Sequence, residues 1–176
     1  MLDLSPVDAV LIRCFSEPGV LDGFPAVAGA AVCRVAADEL ILIGPPTVSD
    51  GLTAQATAYL GSVDPDGLVI PHTDAWSFWA ISGESRQRAF ARLSANALPR
   101  TSPAFIQGAI AQLPGKTLVL SDSIVMMVPS TVGHHLPERV LAACADLKPQ
   151  PRGTRPLAIE GGIRLLNSRT VEAGTS

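Results

Sequence analysis

Apolar residues along this chain fall into short runs, each broken by glycine, proline or charge. Residues 29–34 (GAAVCR) and 39–43 (ELILI) have strand character, with the turn-like Ala36, Ala37 and Asp38 between them. Gly44, Pro45 and Pro46 stop the second run. Ser49 is suited to cap a helix through LTAQATAYL, with Gly61 just past its end.

After the loop DPDG (64–67), residues 68–70 form a short apolar run, and residues 74–81 (DAWSFWAI) read as a strand. One face of that strand carries Trp76, Phe78 and Ala80, the other Ser77, Trp79 and Ile81, so neither face is polar. Such a strand is central in a covered sheet or lies against another chain. Ser82 is placed as the cap of a helix over GESRQRAFARL, with Glu84 in its first turn. Phe90 and Leu93 share its inner side, and Arg86, Arg88 and Arg92 make a solvated basic face.

A loop with Pro99 and Pro103 leads to a meander of three strands, at 107–113, 116–120 and 123–128. Pro114–Gly115 and Ser121–Asp122 are its expected turns. A helix follows over about residues 136–145, with Pro137 in its first turn. Two helix-containing halves, each opened by strands, give an α+β fold: a mixed, mostly antiparallel sheet with flanking helices. From residue 148 the pattern fails. KPQPRGTRP is a proline-rich connector, and the last twenty residues hold one apolar cluster, Ile163, Leu165 and Leu166. The expected organisation is one domain over 1–147 and an extended C-terminal arm over 148–176, loose in isolation and ordered on a partner.

Hydrophobic residues make up 47% of the chain, ample for a core. Charged residues are only 16%, against the usual quarter or so. So low a charge leaves apolar surface exposed, a mark of an interface. The net charge of −3 gives no reason to expect nucleic acid or an anionic membrane as a partner. The N-terminus lacks the pattern of a signal peptide, and no apolar run approaches the roughly 20 residues of a membrane span. Cys14, Cys33 and Cys144 are widely spaced in apolar stretches, which reads as buried free thiols in a reducing cytoplasm.

Catalytic templates are missing. There is no GxGxxG after a strand, no P-loop and no GxSxG elbow. His134 and His135 are adjacent, so in a helix their side chains diverge by about 100°; they read as surface or helix-entry histidines rather than a metal pair. His72 with Asp74 is a loop pair or a general base with an orienting carboxylate. Trp76 and Trp79 could cradle a flat ligand, but at strand spacing they fit core or interface anchors better. Arg152 and Arg155 could clamp an anion or solvate the connector. No catalytic, cofactor-binding or metal residue is assigned. Trp76, Trp79, Ile163, Leu165 and Leu166 are the candidate partner-interface residues.

The succession ADELILIGPP, HTDAWSFWAISGESRQRAFARL, FIQGAIAQLPGKTLVL and SDSIVMMVPST resembles the γ-subunit family of heterotetrameric sarcosine oxidases, within the aminomethyltransferase-like, folate-binding superfamily. The matching parts fall at 38–43, 73–79, 81–86, 108–112 and 122–129, and the resemblance covers about residues 35–144. Two departures stand out. The folate-using transferases have a glycine-rich hairpin that ends in a catalytic aspartate, whereas the corresponding LPGKTLVLSDS (113–123) has no acid at that place, and Asp122 lies in the following turn. Leu40 replaces the tryptophan usual in the first strand.

The resemblance implies a non-catalytic accessory subunit of a heteromeric flavoenzyme that oxidises an N-methylated amine such as sarcosine. It implies no cofactor on this chain. Larger partner subunits would carry FAD, FMN, NAD and tetrahydrofolate, and a small partner subunit zinc. The expected setting is a cytoplasmic hetero-oligomer. Two other readings remain open: a freestanding folate-binding one-carbon protein, and the small subunit of another amine monooxygenase or dehydrogenase.

Overall fold

The computed structural model describes residues 1–166. It is an α+β fold built on mostly antiparallel sheets. The described residues form two compact units, one of residues 1–6 and 77–153, the other of residues 7–76 and 154–166.

The N-terminal stretch supplies two strands that the turn-and-run pattern left unassigned, β1 (Leu2–Asp8) and β2 (Val10–Phe15). Alternation buries Leu2 and Leu4 on β1, while β2 is apolar almost throughout. A short helix α1 (Pro18–Asp22) follows, then β3 (Ala31–Ala36), β4 (Glu39–Gly44), α2 (Ser49–Val63) and β5 (Leu68–Pro71). Then come β6 (Trp76–Ser82), α3 (Arg86–Leu93), β7 (Ala104–Ile110), β8 (Leu113–Val119), β9 (Ser123–Pro129) and α4 (His135–Ala143). The C-terminal segment adds β10 (Pro149–Pro151), β11 (Arg155–Pro156) and β12 (Ile163–Leu165).

In the unit of residues 77–153 with 1–6, the strand order is β10-β1-β6-β9-β8-β7. The Trp strand β6 is therefore central, between β1 and β9, which explains why neither of its faces is polar. Its core gathers Leu4, Ile81, Phe90, Ile110, Met126, Leu136 and Val140 from the sheet, α3 and α4. In the other unit the five-stranded sheet runs β12-β3-β4-β2-β5. One face of it meets α2 through Ile12, Cys14, Leu42, Leu52, Ala56 and Leu60, with Phe24 edge-on to Tyr59 at 4.9 Å between centroids. Burying such side chains stabilises by about 1.5–3 kcal/mol each.

Several boundaries differ from the sequence reading. Ser49 lies inside α2 rather than capping it, because a 3₁₀ turn at Pro46–Val48 leads straight into the helix. Gly61 is also inside, and the helix closes at Asp64. Ser82 does not cap α3: Gly83 turns at φ +88° and the helix starts at Arg86, so Glu84 lies before its first turn.

The larger correction concerns the meander. Its first turn is Ala111–Gln112, both at positive φ (+50° and +64°), and Pro114–Gly115 sit within β8 opposite Ala109 and Gly108. Register decides this: Ile110 faces Leu113, and both are buried, whereas a turn at 114–115 would slip the pairing and expel them.

Between residues 149 and 165 three short strands pair within this chain's own sheets. β10 and β11 pair in parallel with β1, and β12 in parallel with β3. Residues 167–176 of the expected arm lie outside the described residues.

Candidate functional site

The unit of residues 77–153 holds an open cleft of about 470 Å³ between α3 and the loop that follows it. Phe90 and Leu98 give it apolar lining, and Gln87, Ser94, Asn96 and Arg100 supply polar atoms. Sequence reading saw only the loop prolines here, because the lining depends on how that loop folds back along α3. The loop is tied to the sheet: Ser94 Oγ donates to the Ala109 carbonyl (2.8 Å) and Asn96 Nδ2 to the Gln107 carbonyl (3.2 Å). Gly108 leaves room for that amide, which a Cβ would overlap.

The helices beside the cleft are fixed by arginines. Arg86 donates to the carbonyls of Gly83 (3.1 Å) and Ser121 (2.9 Å). Arg92 binds Asp146 through both terminal nitrogens and also reaches the Ala143 carbonyl at the end of α4 (3.2 Å). Its hydrogen bonds, with a smaller contribution from Arg88, hold the Asp146 carboxyl down to about 2. The basic face expected on α3 is thus largely committed to structure.

Donors, acceptors and an apolar wall allow this cleft to hold a small amphipathic molecule. It contains no nucleophile with an adjacent base. In the hairpin region 113–123, Asp122 is exposed at the β8–β9 turn and accepts from Ser123 Oγ (2.9 Å). No carboxylate occupies the β8 positions, which are Leu-Pro-Gly-Lys-Thr-Leu-Val. Among the described residues, no group of three or more His, Cys, Asp or Glu side chains converges as a metal site.

Trp76 opens β6 half-buried, and Trp79 packs partly buried against the core beside it. They fall in different units. Ile163 and Leu165 lie on β12, and Leu166 packs against the α2 core. His72 Nδ1 is buried with no hydrogen-bond partner and makes no pair with Asp74. The rings of His134 and His135 lie 3.8 Å apart between centroids, tilted by 44°, near the start of α4, and His135 Nδ1 lies 3.8 Å from Glu138. Arg152 pairs with Asp3 (3.0 Å) and donates its amide to the Leu4 carbonyl (2.8 Å), which fixes the connector rather than an anion. Burial pushes the Cys14 thiol up to about 12 and raises Cys33 and Cys144 as well. Among the described residues, no helix is long and apolar enough to cross a membrane.

No family model matches the chain, and neither does any curated protein. Solved structures do match. A chain of the heterotetrameric sarcosine oxidase from Corynebacterium sp., in complex with pyrrole 2-carboxylate, is similar at a TM-score of 0.67 and 16% identity, over 82% of this chain and 84% of that one. The aminomethyltransferase T of the glycine cleavage system from Bartonella henselae is similar at a TM-score of 0.59 and 14% identity, over 85% of this chain and 47% of that one. The present chain thus spans about half the length of the transferase. The fold is that shared by these sarcosine oxidase and aminomethyltransferase chains.

Proposed function

We propose that this chain is a non-catalytic accessory subunit of a heteromeric flavin-dependent oxidase, dehydrogenase or demethylase acting on N-methylated amines such as sarcosine. The observation that carries the reading is reciprocal coverage. The chain matches a sarcosine oxidase chain over more than four-fifths of both, but covers under half of the transferase. The empty acid position in the 113–123 hairpin and the lack of a nucleophile–base pair in the cleft support the same reading.

In this reading larger cytoplasmic flavoprotein subunits carry FAD, FMN, NAD and tetrahydrofolate, and a small one carries zinc. This chain supplies packing surface to them, with Trp76, Trp79, Ile163, Leu165 and Leu166 as the proposed contact residues. Transfer of the intact chain into a flavoprotein-containing assembly tests it: co-expression with candidate flavin subunits yields a stable complex, and separate elution of every component contradicts it.

The shared transferase fold and the 470 Å³ cleft favour one second reading, a freestanding folate-binding one-carbon protein. Calorimetry of the isolated chain with tetrahydrofolate separates the two. Saturable heat favours the second reading, and its absence removes it.

A further inference from the structure

The outer strands of the two sheets are β10, β7, β12 and β5, together with the two-residue β11 that also pairs with β1. Exposed edges invite pairing with other chains unless they are blunted. β10 has proline at both ends. Two outward carbonyls of β7, those of Gln107 and Ala109, are taken by Asn96 and Ser94. β12 is three residues long with Arg164 at its centre, and that guanidinium donates to the Asp22 carbonyl (2.7 Å).

β5 is different. Leu68 is 57% exposed and Ile70 41%, an unusual state for large apolar side chains on an edge strand. They share a face with their register partners Phe15 and Arg13, whose guanidinium stacks over the Phe15 ring at 4.6 Å. Arg13 is neutralised by Glu39 (2.7 Å).

The His72 amide donates to the Leu11 carbonyl, so alternation along an antiparallel ladder turns the backbone groups of Ile70 and Leu68 inward and those of Val69 and Pro71 outward. Pro71 has no N–H, so β5 offers one outward donor, at Val69, and carbonyl acceptors at Val69 and Pro71.

Charge selects the occupant. Asp64 and Asp66 precede β5 and Asp74 follows it. A second copy paired edge to edge places acid beside acid in either strand direction and brings the same shortage of donors. We propose that β5 is the docking edge for an extended strand of a different, larger chain, rich in backbone donors and flanked by lysine or arginine. This rests on the reading of the protein as one subunit of a hetero-oligomer.

The probe is a synthetic peptide of alternating valine and threonine flanked by lysines, titrated into the full-length chain, with a glutamate-flanked peptide as control. Amide exchange is followed by residue-resolved NMR. The lysine peptide should protect the Val69 amide and bind roughly tenfold tighter than the control. Val69→Pro and, at exposed positions that spare the fold, the pair Asp66→Lys with Asp74→Lys should each abolish binding.

Equal binding of both peptides, protection elsewhere, or Val69 protection arising from self-association without peptide would overturn the proposal. A flavoprotein complex that forms equally well with Asp66→Lys and Asp74→Lys combined overturns the docking edge and leaves the subunit reading intact. Peptide docking at β5 without any flavoprotein partner supports the edge and removes that reading.

Discussion

The side-chain amide of Asn96 donates to the main-chain carbonyl of Gln107 at 3.2 Å, across the outer edge of β7. The bond orders the loop that lines the cleft and also occupies an acceptor that an edge strand would otherwise present. Asn96→Ala should lower stability by about 0.5–1.5 kcal/mol. It should also raise the tendency to self-associate through β7. Denaturant melts and light scattering check the two effects separately, and Gly108→Ala should disturb the same contact.

The β7–β8 turn holds Ala111 and Gln112 at positive φ, which L residues with a Cβ adopt at a cost. It persists because Arg139 donates to the Ala111 carbonyl and the Ala111 amide donates to the Leu93 carbonyl. Replacing Ala111–Gln112 by Asn-Gly should therefore stabilise the protein by about 0.5–1 kcal/mol, read as a higher denaturation midpoint.

Asp146 titrates at about 2, below its unfolded value, because Arg92 hydrogen-bonds its charged form. A depressed carboxylate contributes stability above its unfolded pKa, and that contribution is lost as pH falls through the folded pKa. The stability of the wild-type chain should thus drop between about pH 4 and pH 2. Asp146→Asn should flatten that part of the curve. Both carboxylate and arginine are solvent-accessible, so the difference should shrink at high salt.

Cys14, Cys33 and Cys144 are all buried, with their thiols raised by burial. Only the thiolate reacts readily. At mildly alkaline pH a thiol reagent should label none of the three in the native protein and all three after unfolding. Rapid native labelling of any one would contradict the packing described.

Apolar runs bounded by breakers were legible in the sequence, which is why β4, β5 and β9 fall close to where the pattern put them. Other features depend on partners distant in the chain. Pro114–Gly115 has the composition of a turn, yet the burial of Ile110 and Leu113 sets the turn two residues earlier. Strands as short as β10 and β12 have no periodicity to read and take their order from β1 and β3. That β8 carries no carboxylate was visible in sequence; the cleft along α3 was not, because it is made by a loop folding back.

The proposed function makes this chain part of a flavin-dependent amine-oxidising assembly. The most direct test isolates the native complex through the tagged full-length chain and follows the flavin absorbance as sarcosine is added without oxygen. Larger flavin-bearing subunits in defined ratio with this chain, and bleaching of their flavin by the amine, are the expected result. A flavin-free, monodisperse single chain would contradict it.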